Sequence, residues 1–588
     1  MQKKLLIGMI LLGGWIVSRG DVPSPFLKKC AIPYFLEPME FRTLKMQMLP
    51  PEAYGMVPDL YSDFQLNPAF LRNVSQKSVY VDLNPGQTTS VSWAPWLATS
   101  GEYAVLPQWY SRTSVSTVLV NPLYNFAFLF PIGSQWTLGF LNRSLFDYGP
   151  FRTGYSGYWN EMAADAARYS DIPLVPSRLE VDENQQTVIG NQSEVVLARS
   201  MTRNLDLGFR IGYFVYDQDG DLYNSKWANY PHSAFAMLND EALSISGHHI
   251  ELGAGFVFRP NSKTKIGGYG GILFGNASDR SSSLDTSYTW SEQDVQPQYY
   301  QWNRYFLSSR QSSSMDGKRP RMGLTFEKAI TDRWKLRSFA YATWTTLDYS
   351  GDFVSADTSS SDRQYDEYEW PSGTIHLRRH ESHGSRSNLF NGDGNEESNL
   401  WRYFVSFIYT QEKDWSFFGG IDLQRAWFSQ QVEESSMYKS HQWDRYSLYK
   451  PETDVESIRH ELEYTFKMTR TQWRVSLPIG IQMQVVRGFS VVLGTSTVFS
   501  LSDETYKGRR IYPLRVSQKW QDEKQILDDI EINRYEEFDS HPAKTWTRSW
   551  GQYVGIVYTH PSGIHVYVQC GDDFSRPANW ALGFEIQW

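Results

Sequence analysis

The sequence predicts an all-β fold: a transmembrane antiparallel β-barrel of about 14–16 strands with an N-terminal hatch segment. Three observations point there. The last strand alternates strictly, tight turns recur between long polar stretches, and aromatic residues abound although long apolar runs are missing. In the closing stretch Trp580, Leu582, Phe584, Ile586 and Trp588 fall on one face of an extended strand, and Ala581, Gly583, Glu585 and Gln587 on the other. Side chains alternate along a strand, so lipid can take the first face and a wet interior the second. A final Trp suits the membrane–water interface, where amphipathic rings collect.

Composition agrees with this reading. Of 588 residues 21% are charged, and no stretch beyond the N-terminus reaches the roughly 20 apolar residues of a spanning helix. Aromatics make up 15%, with 22 Trp and 36 Tyr, the stock from which interfacial girdles are built. A net charge of -9 argues against a nucleic-acid partner, which requires a basic surface. Cys30 and Cys570 are the only cysteines, which excludes a disulfide framework and a cysteine zinc site; a single Cys30–Cys570 bridge is a minor alternative. No cofactor is expected.

Residues 1–20 read as a signal peptide. Lys3 and Lys4 precede an apolar run from Leu5 to Val17, and Ser18-Arg19-Gly20 supplies small residues before a mature start near Asp21. Residues 21–75 form the expected hatch. Pro23, Pro25, Pro33, Pro38, Pro50, Pro51, Pro58 and Pro68 crowd this segment, and proline cannot donate to a central ladder. Clusters such as Pro33-Tyr34-Phe35-Leu36 mark it as ordered all the same.

Residues 76–588 are the expected barrel. Tight turns are placed at 131–134, 202–204, 259–262, 331–333, 412–414, 487–488 and 560–563. Strands with one apolar face flank them: Phe126, Phe128 and Phe130 before the first, and Leu205, Leu207, Phe209, Ile211 and Tyr213 after the second. Between these hairpins the polar stretches 147–191, 218–246, 277–318, 351–400, 431–470 and 501–546 are expected as long extracellular loops. Seven turns give 14 strands, and a first strand near 78–94 with the closing strand raises the total to 16. Asp206, Arg210, Arg474 and Gln482 fall on the strand face opposite the apolar one and are expected in the lumen.

No catalytic or metal constellation stands out, and the chain is not expected to be an enzyme. His376, His380, Glu381 and His383 read as a solvated loop, without the spacing of ligands held on regular structure. Asp217, Asp219 and Asp221 around Gly220, and Asn391-Gly392-Asp393-Gly394-Asn395-Glu396, lack the full calcium-loop pattern. They read as acidic surface loops. No nucleophile-elbow pattern stands out.

The segment Phe64-Gln65-Leu66-Asn67-Pro68-Ala69-Phe70 resembles a motif of the outer-membrane long-chain fatty-acid and hydrocarbon transporter family. That family places Asn-Pro-Ala in a hatch just before its first barrel strand. The resemblance implies that Asn67, Pro68, Ala69 and Phe70 are hatch residues, and that the barrel sits in the bacterial outer membrane. It further implies passage of small hydrophobic, fatty-acid-like solutes. The loop aromatics Tyr155, Tyr158 and Trp159 read first as surface aromatics near the interface, and second as residues lining an entrance. The closing strand, with Trp580, Leu582, Phe584, Ile586 and Trp588, also resembles the C-terminal signal recognised by the barrel-insertion machinery. Expected partners are therefore outer-membrane lipid, that machinery and a small hydrophobic ligand. Related shuttle barrels carry a similar Asn-Pro-Ala, so a second reading stands beside the first: a non-transport barrel acting as assembly, shuttle or surface scaffold for exported proteins.

Overall fold

In a bilayer every backbone N–H and C=O must find a protein partner, so a spanning sheet has to close on itself. The computed structural model describes residues 41–83, 95–97, 107–109, 123–149, 178–230, 233–293, 299–369, 372, 374–411, 415–539, 543–570 and 580–588. The expected signal peptide, Cys30 and the aromatics Tyr155, Tyr158 and Trp159 lie outside these residues, as do the side chains of Cys570 and Trp580.

In chain order the strands are β1 (Ser78–Leu83), β2 (Pro95–Leu97), β3 (Pro107–Trp109), β4 (Tyr124–Ile132), β5 (Trp136–Gly149) and β6 (Arg178–Ser200). Then come β7 (Leu205–Tyr230), β8 (Ser233–Asn261), β9 (Thr264–Gln293), β10 (Tyr299–Ala329) and β11 (Trp334–Glu369). β12 (Thr374–Gln411), β13 (Trp415–Ser447), β14 (Glu452–Val486) and β15 (Phe489–Gln521) follow. Last are β16 (Lys524–Asp539), β17 (Ala543–Thr559), β18 (Ile564–Cys570) and β19 (Trp580–Gln587). β2 and β3 form a separate ribbon; the other strands make one 17-stranded sheet.

Sixteen of those 17 strands close the ring, all with antiparallel neighbours. β1 is the keystone, pairing with β19 from Ser78↔Gln587 to Leu83↔Leu582 and with β4 from Ser78↔Leu129 to Leu83↔Tyr124. β16 stands outside the ring. β15 pairs with β17 over Phe489–Glu504, and with β16 over Lys507–Gln521. Gly488 and Gly563, at φ 84° and 85°, make two of the tight turns, in the left-handed region that glycine enters without strain.

Polarity locates the bilayer. On β12 the outward residues Trp401, Tyr403, Val405, Phe407 and Tyr409 are apolar or aromatic, and Trp401 is 50% exposed. Trp401 to Tyr409 spans nine residues, what a tilted strand needs to cross (about 9–11 residues). Aromatic contacts gird both edges of the belt. Trp334–Tyr409 at 4.9 Å and Tyr409–Trp415 at 5.0 Å lie at the turn side, and Trp344–Trp401 at 5.6 Å at the other. Above Trp401 the same face becomes Asn399, Glu397, Asn395, Asp393 and Asn391. β19 shows Leu582, Phe584, Ile586 and Trp588 to the outside and turns Glu585 inward. No helix among the described residues is long and apolar enough to cross a membrane. The chain is an outer-membrane-type barrel.

The expected long loops are corrected. Nearly all of 218–246, 277–318, 351–400, 431–470 and 501–546 is strand, and β12 alone runs 38 residues. These ladders need no lipid-facing apolar row once they leave the bilayer, because water solvates a polar outer face. Their inner face retains buried apolar residues such as Phe390, Val432, Leu462 and Tyr464. The candidate histidine and calcium loops are corrected with them. His376, His380, Glu381 and His383 lie on β12, as does 391–396, and Asp217, Asp219 and Asp221 lie on β7. His376 stacks on Tyr449 at 3.9 Å and His380 on Tyr446 at 4.4 Å. Among the described residues no group of three or more His, Cys, Asp or Glu is placed to hold a metal.

The belt predicts its own sensitivity. Ile421→Arg, at the middle of the lipid-facing row of β13, should destabilise the barrel by about 2–4 kcal/mol, and Gln431→Arg, beyond the belt, by less than about 1 kcal/mol. Unfolding by denaturant in lipid vesicles measures both.

Candidate functional site

The residues before β1 fill the ring. Helix α1 (Leu44–Gln47) starts at Thr43, whose hydroxyl accepts from the Met46 amide; helix α2 (Leu60–Leu66) starts at Asp59, whose carboxylate accepts from the Ser62 amide at 2.8 Å. Pro68 stops α2 and opens a 3-10 turn, Pro68–Asn73. Contacts reach strands all around the wall. Leu44 N donates to the Tyr80 hydroxyl of β1 at 2.5 Å, and Asp63 pairs with Arg337 of β11 at 2.7 Å. Ser406 of β12 donates to Met56 O at 2.8 Å, and Gln569 of β18 to Gln47 O at 3.1 Å. Phe41, Leu44, Met48, Phe64 and Phe70 form an apolar core with wall residues such as Val257, Val492 and Val557.

Asn67 is the anchor. Its Oδ1 accepts from the Ala69 amide at 3.0 Å, and its Nδ2 donates to the carbonyls of Phe256 (2.9 Å) and Gly268 (3.2 Å) on neighbouring β8 and β9. Backbone meets backbone here because the wall lacks side chains. A Cβ on Gly208 would lie 2.3 Å from the Ala69 nitrogen and the Pro68 carbonyl carbon; one on Gly255 would lie 2.3 Å from Asn67 Oδ1. Pro68, Ala69 and Phe70 are buried beside it.

Above this notch runs a buried ionic seam. Arg143 of β5, Glu194 of β6, Arg210 of β7, Glu251 of β8, Tyr269 of β9 and Arg321 of β10 point inward on consecutive strands. Glu194 pairs with Arg143, and Glu251 with both Arg210 and Arg321. The Tyr269 hydroxyl accepts from Arg210 Nη2 (2.5 Å) and Arg321 Nε (2.7 Å) and donates to Glu251 Oε1 (3.1 Å). The seam also grips the plug: Arg210 Nη1 donates to Gln65 O at 2.9 Å, and the Gln65 amide to Glu194 at 3.4 Å. Three guanidinium groups face two carboxylates, which leaves one positive charge in excess. Arg143 Nε and Nη1, Arg210 Nε and Glu194 Oε2 are buried with no hydrogen-bond partner among the described residues. Tyr54, Gln65 and Leu66 of the plug close a cavity of ≈ 80 Å³ against Arg210, Arg321 and Phe339 of the wall.

The four lumen candidates separate. Asp206 and Arg210 are buried inside the wall; Asp206 pairs with Arg259, and Arg210 belongs to the seam. Arg474 pairs with Glu52 of the plug. Gln482 is half-buried, in inward register with Pro478 and Gly480, and takes no part in the seam. Sequence reading missed Arg143, Glu194, Glu251, Tyr269 and Arg321. A single charge between outward apolar residues was the available signal, as in Ile250-Glu251-Leu252.

No protein-family description matches the chain, and no curated protein does. Among solved structures it is similar to a FadL homologue from Pseudomonas aeruginosa, at 10% identity and TM-score 0.29, over 92% of this chain and 98% of that one. The toluene transporter TbuX of Ralstonia pickettii gives 10% identity and TM-score 0.28 over 80% and 98%. The CymD monoaromatic hydrocarbon channel gives 10% and 0.22 over 67% and 97%. Such scores fix no residue correspondence, so the site is read from its own contacts.

Two outcomes follow from the anchor and α2. Asn67→Ala and Gly255→Ala should each loosen the plug by about 1–3 kcal/mol, seen as faster proteolysis within 41–74 while the barrel resists heat as before. Burial pushes the Asp63 carboxyl up to about 7, against the opposing pull of Arg337. Docked, it holds its proton to about that pH; undocked, only to about 3.8. Between those values the docked state binds the extra proton, so docking should strengthen as pH falls from 7 towards 4. Hydrogen exchange of 41–74 across that range checks the sign, and Asp63→Asn should flatten the dependence.

Proposed function

We propose that the chain passes small hydrophobic, fatty-acid-like solutes across the bacterial outer membrane, with the segment ending at Val74 as its gate. The cavity between plug and wall carries this reading. Tyr54, Gln65 and Leu66 supply one side of it, so withdrawal of the plug from this part of the wall enlarges it, and its volume suits a headgroup rather than a whole chain. Arg210, Arg321 and Arg402 line it against Glu194 and Glu251, a balance that favours an anionic head there, since a buried guanidinium gains most from an unsolvated partner. Leu66 and Phe339 beside it offer an apolar tail a dry contact. Burial of the Asn67-Pro68-Ala69 anchor supports a plug that docks by register rather than a loose tail.

A scaffold for exported proteins is the second reading, favoured by strands that continue far beyond the belt. A reversible lock separates the two. A Cβ on Gly583 would sit 3.3 Å from Leu44 Cβ, close to the Cβ separation of a disulfide, roughly 3.5–4.5 Å. In a Cys30→Ser, Cys570→Ser background, Leu44→Cys with Gly583→Cys should abolish uptake of labelled fatty acid into liposomes when oxidised and restore it when reduced. Arg210→Gln should lower uptake of the fatty acid more than that of its methyl ester. Uptake no greater than into empty vesicles, or uptake indifferent to the lock, overturns the transport reading.

A further inference from the structure

β16 is an edge. Its one ladder among the described residues is with β15, from Lys507↔Asp539 to Gln521↔Lys524, reached through a two-residue turn at Asp522 and Glu523 with φ 48° and 64°. It lies beyond the bilayer, because β15 leaves the apolar belt near Leu501, opposite Trp473. A solvent-facing edge strand presents a row of unpaired N–H and C=O groups, and proteins usually blunt such edges with charge, proline or a bulge. The ladder is irregular at both ends of this stretch, with a register shift that leaves Ile526 unopposed and Asn533 at φ 55°, while Leu527 to Ile532 pair in unbroken register with β15. From Lys524 to Ile532 the strand contains no proline and no residue at positive φ.

This stretch is also apolar where a solvated edge would be polar. Ile526, Leu527, Ile530 and Ile532 are 44–67% exposed. Ile532 ends a cross-strand row on the outer surface. Val354 pairs with Leu389, Leu389 with Met437, Met437 with Glu461, Glu461 with Leu514, and Leu514 with Ile532. Directly opposed residues share a face, so five apolar side chains line up across β11, β12, β13, β15 and β16, broken by one acid on β14. Val354 and Leu389 are 46% and 43% exposed. The row stops at the edge with nothing beyond it among the described residues.

Charge selects the occupant. β16 carries Asp528, Asp529, Glu531, Glu536, Glu537 and Asp539 against Lys524 and Arg534. Glu531 is held by Arg534 at 3.2 Å and Arg515 at 3.3 Å; among the described residues Asp529 has no salt bridge, and Asp528 accepts only the Gln518 amide at 2.9 Å. We propose that the Lys524–Ile532 edge of β16 docks an extended, basic segment of a partner polypeptide, which adds as a strand and continues the apolar row. Main-chain hydrogen bonds supply the attachment, alternate apolar residues extend the row beside Ile530 and Ile532, and the lysines or arginines between them, on the other face, meet Asp529. A second copy of this chain would set acid against acid on the same edge. This inference is independent of transport through the ring.

The test uses the full chain in phosphatidylcholine nanodiscs and a fluorescent dodecapeptide alternating lysine with isoleucine. Binding above empty nanodiscs is expected, about tenfold weaker for a glutamate–isoleucine counterpart and for a lysine peptide interrupted by two prolines. Amide exchange in 524–532 should slow when the peptide is added. Asp528→Lys with Asp529→Lys should reverse the preference, so that the glutamate peptide binds and the lysine peptide does not; a misfolded barrel could not gain that partner. The proposal is overturned if the lysine peptide binds no better than its proline form or the reversal leaves the preference unchanged. Amides in 524–532 already protected before peptide is added would mean that another part of the chain covers the edge, and cross-links joining two copies through β16 would assign it to self-association; either result overturns it.

Discussion

Closure of the backbone ladder in lipid is the constraint from which the rest follows. An unsatisfied peptide group costs several kcal/mol in hydrocarbon, so β1 must meet both β4 and β19. Sixteen strands in a ring leave an interior too wide for wall side chains to fill. Inward charges are then tolerable only if water or a partner meets them. The plug is that partner: it brings Glu52, Asp63 and the Gln65 carbonyl to Arg474, Arg337 and Arg210.

Two kinds of contact hold the plug, and they respond differently to change. The apolar cluster around Phe41, Leu44, Met48 and Phe64 is non-directional and tolerates small displacements. The Asn67 notch and the ionic seam are directional. Truncating one member there strands a buried polar group rather than merely leaving a gap. Glycine at 208 and 255 is the other half of the Asn-Pro-Ala segment, since a methyl group at either place would occupy space that plug atoms already hold.

Much of the architecture was legible because each cue was local. Glycine, proline and asparagine mark the turns, and period-two alternation marks the crossing parts of β7, β14 and β19. Beyond the bilayer both faces hold polar residues, the alternation fades, and the extended hairpins read as loops. A usable cue was present in the prolines. Pro231, Pro297, Pro371 and Pro451 each fall between two long strands, although Pro131, Pro260, Pro320, Pro478 and Pro513 lie within strands, so the cue marks only some of the hairpin ends. The seam was not legible for a different reason. Arg143, Arg210 and Arg321 lie on different strands, and only the register between strands brings them to two shared carboxylates. Arg210 was assigned to the lumen from parity, but parity says nothing about who stands across from it.

The hand-over on β15, from β17 below to β16 above, divides the molecule into separate cooperative units. Between Glu504 and Lys507 the strand changes neighbour, so the hydrogen bonds that complete the ring are not those that hold β16. Fraying of β16 therefore leaves the lipid-embedded hoop intact, and the two regions can open with different free energies. The outermost sheet is free to loosen and re-form while the membrane stays sealed beneath it.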